Sequence, residues 1–249
     1  MSSRRGEINN DLLREFVEFL PKELGDQVVW LEFEPKQLLL GQGRMAQRTL
    51  FPVSGLISCF RSLRHRRVEV HQVGREGVLG LHASLTLSGG EETTTSISIT
   101  PVRMIGLPPR LVRLLIMDQP QVREIIYQYL HQQELETNEV LARLAACPLT
   151  ARLAFWILRA DQKLGRDPIP VTHEILSDIH CVRRPSITDA LHELEGLGAI
   201  KSLRRQIIVR DREMLLHAAD ISATGEQPFH STEADGRLNR PGFAGDGLL

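Results

Sequence analysis

The chain has 249 residues, of which 42% are hydrophobic and 24% charged, and a formal net charge of −1. That length can bury one or two cores, and the composition is that of a globular protein, which sets aside disordered and fibrous classes. No apolar run approaches the roughly 18 residues of a membrane span, and "MSSRRGEINNDLLREF" has no apolar segment behind its arginines. A secretory signal is therefore not indicated, no membrane partner is expected, and the expected compartment is the cytoplasm. Cys59, Cys147 and Cys181 are odd in number and widely spaced, as suits reduced thiols. Without a CxxC or a Cys/His cluster, neither zinc nor iron–sulfur is signalled, and no cofactor is expected.

A short helix is predicted from Asp11 to Leu20, stopped by Pro21. The pattern then turns to period two: "QVVWLEFEP" alternates Val29, Leu31 and Phe33 against Val28, Trp30 and Glu32. "GLISCFRSL", "RRVEVHQVG" and "TTTSISIT" continue it, with turns at Gly74, Gly77, Gly80 and Gly89-Gly90. Several short strands between glycine breaks, from about residue 27 to 107, indicate an antiparallel barrel or sandwich. Pro108-Pro109 should end it.

From there the period is helical. Asp118 is the expected N-cap, with Pro120 in the first turn, of a helix of some 28 residues without glycine or internal proline. Val122, Ile126, Tyr129, Gln133, Thr137, Val140 and Leu144 form a narrow three-four stripe along it. Such a stripe suits a dimer stalk; the alternative is a helix packed on its own barrel. Pro148 should break this helix, Thr150 cap the next ("ARLAFWILRADQKLG"), and Gly165 close that one.

The next segment, "VTHEILSDIHCVRRPSITDALHELE", reads as a helical pair. Thr172 can cap the first helix, with Ile175, Leu176 and Ile179 inward. In the second, Ile187, Ala190, Leu191 and Leu194 fall at i, i+3, i+4 and i+7, an inward stripe. That leaves Arg184, Pro185, Ser186, Thr188, Asp189 and His192 on outer or N-terminal surfaces, where Pro185 costs no hydrogen bond. "GAIKSLRRQIIVRD" follows as two short strands around the basic turn Arg204-Arg205. From Cys181 to Arg212 there are seven cations against four anions, a local +3, while residues 220–249 carry −3. This asymmetry, hidden in the total, is an electrostatic footprint for nucleic acid.

The chemistry of groove reading matches those residues. A recognition helix needs short polar side chains near its start and one long bidentate donor, and arginine to guanine O6 and N7 is the commonest such pairing. Arg184 meets that need, with Arg183 beside it; Ser186 and Thr188 can bond phosphate. Asp189 can accept from a cytosine amino group or orient Arg184. Arg204 and Arg205 would form a wing on a neighbouring phosphate. Double-stranded DNA is the expected partner. The competing reading is a ligand-sensing or protein-interaction module that binds DNA weakly and without preference. An enzyme is not expected, since no Gly-rich phosphate loop, HExxH or GxSxG occurs.

From about Leu12 to Asp220 the chain resembles the Crp/Fnr family of bacterial transcription regulators. "FPVSGLISC", "EVHQVGREGVLGL", "LTARLAFWIL" and "VTHEILSDIHCVRRPSITDALHELEGLGAI" carry the resemblance. It implies an α+β architecture: an antiparallel β-roll of the cyclic-nucleotide-binding type with its N-terminal helix (1–117), a dimerisation helix (118–147) and a winged helix-turn-helix (148–220). The remaining residues, 221–249, are rich in Gly, Ser, Thr and Pro and are expected to be disordered. The resemblance further implies a homodimer on a pseudo-palindromic site, with RNA polymerase as a partner, Arg184 as the guanine reader and Ser186 as a phosphate contact. Departures are Cys181, where the helix turn usually has glycine; Asp189, which is arginine in the cAMP-responsive branch; and Arg205, where the wing lacks a glycine.

Cyclic-nucleotide-binding members hold the ribose with a Gly-Glu pair and the phosphate with an Arg-Ser/Thr-Ala stretch. Here Gly80-Leu81 stands for the first and Glu92-Thr93-Thr94 for the second. An anion in place of the phosphate-binding cation predicts no cyclic-nucleotide binding, which leaves any small-molecule effector unidentified. The N-terminal cysteine cluster of the oxygen-sensing branch is missing. His65, His71 and His82 are read as surface or hydrogen-bonded residues rather than haem ligands.

Overall fold

A computed structural model describes residues 8–21, 27–64, 66–165 and 168–220. The expected disordered tail, 221–249, and His65 lie outside the described residues. The fold is mixed α+β with antiparallel sheets and a C-terminal helix-turn-helix.

Helix α1 (Asp11–Phe16) is shorter than the predicted helix, and a 3-10 turn (Val17–Phe19) completes the segment before Pro21. Asn10 sets its start: the side-chain oxygen accepts from the Leu13 N–H at 2.7 Å, while Nδ2 donates to the carbonyls of Pro52 and Gly77. One residue thus caps the helix and ties it to the sheet.

Seven strands follow: β1 (Val29–Phe33), β2 (Leu38–Leu40), β3 (Thr49–Ser54), β4 (Ile57–Leu63), β5 (Arg66–Val73), β6 (Thr95–Ser98) and β7 (Val102–Leu107). They form two antiparallel sheets, in the orders β1-β7-β3 and β2-β6-β4-β5. Residues from both sheets, among them Ile57, Cys59, Val73, Val102 and Met104, share one buried cluster. A second cluster lies where Phe16 and Leu13 of α1 meet Phe51 and Leu107 and the helices that follow the roll.

Between β5 and β6 lies the short α2 (His82–Leu85). The double proline does end the strands, but Pro109 also opens a helix that periodicity had not suggested, α3 (Pro109–Asp118). Proline is at home there because its missing donor is one of the unpaired N–H groups of any helix start. Asp118 is therefore the last residue of α3 and not the N-cap of the long helix. That helix, α4 (Pro120–Ala146), begins after an extended Gln119, with no side-chain cap.

The first part of the apolar stripe of α4 is turned toward the roll. Val122 and Ile126 are fully buried against the roll. The Tyr129 hydroxyl accepts from the Val78 N–H at 3.2 Å and donates to the Val78 carbonyl at 3.3 Å. Further on, Val140 and Leu144 face Phe155 and Trp156 across a small cavity. The first part of the stripe is thus covered by the roll, while Gln133, Thr137, Val140 and Leu144 remain partly exposed. A flanking face, with Tyr127 and Leu141 at 58% and 45% exposure, is uncovered. Periodicity locates an apolar face; what covers it is a matter of tertiary packing.

The C-terminal part comprises α5 (Leu149–Lys163), α6 (His173–His180), α7 (Arg184–Gly196), the hairpin β8 (Ile200–Leu203) and β9 (Gln206–Val209), and α8 (Arg212–Asp220). Helix α5 starts at Leu149 behind an extended Pro148, so Thr150 lies inside its first turn and not at its cap. The Thr150 hydroxyl instead donates to Glu193 of α7 at 2.6 Å. Gly165 has φ +73, as a left-handed helix stop requires. Helix α8, absent from the sequence reading, packs on α5 and is joined to it by Arg212–Asp161 at 2.7 Å.

Roll and helical unit share a core. Leu56, Phe60 and Ile99 of the roll belong to the same buried cluster as Trp156, Ile157, Leu176 and Leu191. At that junction the buried Glu69 of β5 accepts from Ser58 and from Trp156 Nε1, the latter at 3.2 Å. Burial raises the Glu69 carboxyl above its usual range. Burial also holds the imidazoles of His71 and His180 down at about 3, helped at His180 by Arg152 and at His71 by Arg159.

Each depressed histidine stays neutral in the folded chain while the unfolded chain takes up protons below about pH 6.5. Stability is therefore lost as pH falls from there toward about 3; Glu69, with its pKa raised, acts in the opposite sense. Comparing variants isolates one group: between pH 7 and pH 5, His180→Gln should lose about 2 kcal/mol less stability than the wild type. Urea denaturation at the two pH values measures this, and parallel losses would contradict it.

Candidate nucleic-acid interface and ligand cavity

The helical pair is held together by local chemistry. Thr172 caps α6, its hydroxyl accepting from the Ile175 N–H at 3.3 Å. At the other end Val182 N–H bonds to Ser177 O at 3.1 Å and Cys181 N–H to Asp178 O at 3.4 Å. This crossed pair is a Schellman stop, which places the intervening residue in the left-handed region. Cys181 is there, with φ 56 and ψ 37. The position thus requires the positive φ that glycine takes freely and other L-residues adopt at about 1–2 kcal/mol. Its thiol donates to the Arg67 carbonyl of β5 at 2.7 Å, which helps hold the turn against the roll.

Helix α7 starts at Arg184 behind an extended Arg183, with Pro185 in its first turn. Ile187, Ala190, Leu191 and Leu194 are all buried, as their spacing predicts. With that stripe inward, Arg183, Arg184, Pro185, Asp189 and His192 are exposed. Ser186 is half-buried at the same end. Among the described residues no ion pair joins Asp189 to Arg184. Thr188 is committed inward: its hydroxyl donates to the Arg184 carbonyl at 3.3 Å and lies 3.1 Å from His173 Nδ1. His173, which sequence reasoning passed over, thereby braces the start of α7; burial, then Arg184, depresses its pKa.

The wing stands beside this end. β8 and β9 pair with Leu203 opposite Gln206, so Arg204 and Arg205 form the turn, both exposed. Arg205 has φ 63, the conformation for which a glycine is usual. Ile169 bridges to Ile207 from the other side, and Glu195 of α7 accepts from the Ser202 N–H at 2.7 Å. Recognition end and wing are thereby set relative to one another. Helix α6 is also docked on the roll, through Arg67–Asp178 at 2.7 Å and Lys36–Glu174 at 2.8 Å. Both pairs are largely solvent-exposed, so each contributes little energy and mainly orients.

A separate cavity of about 370 Å³ lies between the roll and α4. Gly80, Leu81, Glu92, Thr93 and Thr94 all line it, so the two stretches singled out in the sequence do converge. His71 and His82 line it too, as do Arg61 and Tyr129, which no motif had marked. The Glu92 side chain is 6% exposed, with Oε2 at 3.6 Å from His82 Nδ1. That proximity raises the His82 pKa. A phosphate about 4 Å from this carboxylate would be repelled by roughly 4 kcal/mol at an effective dielectric of 20.

Residues 151–218 match the family model of the Crp-like helix-turn-helix domain. The chain carries a Crp-like helix-turn-helix domain there, and the proteins it is similar to are transcriptional regulators. Among its relatives is the CRP-like cAMP-activated global transcriptional regulator of Mycobacterium tuberculosis, 22% identical over 79% of this chain and 90% of that protein. The global nitrogen regulator of Synechococcus elongatus is likewise 22% identical, over 80% of this chain and 93% of its own. Solved structures agree in fold. FixK2 from Bradyrhizobium japonicum superposes with a TM-score of 0.66 at 16% identity, covering 77% of this chain and 96% of that one. A CRP-family regulator from Thermus thermophilus gives 0.62 at 23% identity, over 76% and 96%. These relatives are regulators. Among the described residues no helix is long and apolar enough to cross a membrane.

The β8–β9 turn yields a two-sided expectation. Arg205→Gly should stabilise the fold by roughly 1 kcal/mol, because glycine removes the left-handed penalty. The same change removes a cation, so the slope of log affinity for DNA against log salt should fall by about one. Thermal unfolding and a salt titration of DNA binding check the two halves.

Proposed function

We propose that this regulator binds a pseudo-palindromic operator as a homodimer in the cytoplasm, without cyclic nucleotide, and acts there on RNA polymerase. The observation that carries the reading is the exposed start of α7, with Arg184 as its first residue and the Arg204-Arg205 turn beside it. Arg184 then reads a guanine through O6 and N7. Arg183, Ser186, Arg204 and Arg205 hold phosphates and set register, and Pro185 lets the backbone approach closely. Asp189 accepts from a cytosine amino group. Thr188 acts through its bond to the Arg184 carbonyl rather than on DNA directly. The uncovered face of α4, with Tyr127 and Leu141, supplies the surface for a second copy. Two copies would present their recognition helices about 34 Å apart, one turn of the duplex. Independence from cyclic nucleotides is supported by the buried Glu92 carboxylate in the cavity wall.

In vitro selection with the purified, ligand-free chain should return a two-fold symmetric sequence. Random and selected duplexes bound alike would contradict specific recognition. Arg184→Ala should fold and dimerise normally yet lose roughly 1–3 kcal/mol of discrimination, about ten- to a hundredfold, at one symmetric pair of positions. Unchanged selectivity would remove the proposed base contact. For the assembly, Leu141→Glu should shift sedimentation toward monomer and weaken operator binding by roughly tenfold or more. A dimer that persists unchanged would exclude this face.

A further inference from the structure

Among the described residues, four other than glycine hold the left-handed backbone region: Lys36, Arg64, Cys181 and Arg205, with φ of 71, 54, 56 and 63. That conformation is costly for any residue with a Cβ, and strain of this kind gathers at functional sites. Two of the four belong to the helical unit: Cys181 is the turn between its helices and Arg205 the tip of its wing. The other two belong to the roll and lie where it meets that unit. Lys36, in the turn between β1 and β2, pairs with Glu174 of α6 at 2.8 Å. Arg64 follows Leu63, whose pairing with Arg66 closes the β4–β5 hairpin. Hairpin turns favour asparagine and glycine at such positions. Arginine there sets a cation at the outermost point of the hairpin against the preference of the backbone.

The surrounding sequence is strongly basic: from Arg61 to Val68 the chain has four arginines and His65, and no acid. The hairpin is anchored to the helix-turn-helix below its tip. The Cys181 thiol donates to the Arg67 carbonyl at 2.7 Å. The Arg67 guanidinium pairs with Asp178 at 2.7 Å and lies over the Phe60 ring. Arg61 donates instead to the Thr93 carbonyl. Arg64 is exposed and, among the described residues, has no ion pair. Glu174 and Asp178, the acids by which α6 meets the roll, are already engaged by Lys36 and Arg67. Three residues of chain, at most about 11 Å, lead from Arg67 to Arg64, and Cys181 is two residues from Arg183. An exposed cation of the roll therefore stands close to the exposed arginines at the start of α7.

Resting on the reading of α7 as the DNA-binding helix, we propose that the tip of the β4–β5 hairpin is a further DNA contact, in which Arg64 holds a backbone phosphate beside the bases that α7 reads. A duplex presents one negative charge per about 1.7 Å of its axis, so a cation this close to the recognition end meets phosphate. The contact is blind to sequence; it adds affinity and fixes how the roll, and with it the recognition helix, approaches the duplex. An acidic protein surface is the competing occupant. DNA is favoured because the tip is continuous with the cations of α7.

Salt titrations of DNA binding by the full chain, on the selected and on a random duplex, test this with Arg64→Gly, Arg64→Lys and Arg110→Gln. Arg64→Gly removes the cation and the backbone strain together, so its melting temperature should equal or exceed that of the wild type. Its affinity at low salt should nonetheless fall by about tenfold on both duplexes. The slope of log affinity against log salt should fall by about one for each copy bound, with the selected sequence unchanged. Arg64→Lys should keep the wild-type slope. Arg110→Gln loses the same charge from α3, whose buried residues lie in a cluster separate from that of the helical unit, and should change neither affinity nor slope. Should the glycine variant fold poorly, Arg64→Asn, which also tolerates the left-handed region, takes its place. Unchanged affinity and slope in the neutral Arg64 variant overturn the proposal and leave the tip to an acidic protein. An equal loss in Arg110→Gln also overturns it, since net charge alone would then account for the effect. A wild-type chain without salt-dependent DNA binding would instead remove the reading of α7 and this contact together.

Discussion

Burial of Ile187, Ala190, Leu191 and Leu194 is the constraint on which the interface rests. Four apolar side chains on one stripe of a short helix leave it a single rotation about its axis. Any other rotation would put two or more of them in water, at about 1.5–3 kcal/mol for each large one. The rotation in turn decides that Arg183, Arg184, Pro185 and Asp189 face outward. Direction along the axis is set separately, by the left-handed Cys181, which ends α6 and re-aims the chain into α7. The polar surface on the outside of α7 is thus positioned by hydrophobic chemistry on the inside.

Orientation within the helical unit would matter less if that unit hung loosely from the roll. It does not: Leu56, Phe60 and Ile99 continue its core into the β sheets, and Trp156 hydrogen-bonds to the buried Glu69 across the junction. The exposed pairs Arg67–Asp178 and Lys36–Glu174 add register at small energetic weight. Helix α4 is the shared strut. One face packs on the roll and on α5, and the part of it near Tyr129 and Leu130 closes the ligand cavity. A flanking face carries Tyr127 and Leu141 outward. Cavity wall and uncovered surface are therefore parts of one helix.

The relatives illustrate how fold and ligand chemistry separate. At 16% to 23% identity the backbone arrangement is preserved over most of the chain, because a roll, a long helix and a winged helix need only apolar periodicity, turns and approximate volumes. A ligand site has no such tolerance. A change of one charged side chain in the wall alters what can bind while leaving the fold intact, so resemblance in fold carries no ligand with it.

Elements with a strong local signal were legible in the sequence. The strands show period two between glycine breaks, and the stripe of α7 shows its own inner face. Cys181 stood out as a departure where the resemblance puts glycine, and its positive φ was found only in the fold. The exposed basic residues from Arg183 to Arg205 were equally visible, because burial of their apolar neighbours leaves no other place for them. Tertiary structure alone decided the rest. Asp118 has the chemistry of a cap, yet α3 ends on it, since whether a residue starts or stops a helix depends on how the chain packs on both sides. The α4 stripe has one spacing throughout, yet only its first part, at Val122 and Ile126, is buried by the chain's own roll, because an apolar stripe records a need for burial without naming the partner. Convergence of Gly80-Leu81 with Glu92-Thr93-Thr94 was foreseeable. The burial of Glu92 beside His82 was not, since contacts between side chains exist only once the fold has placed them.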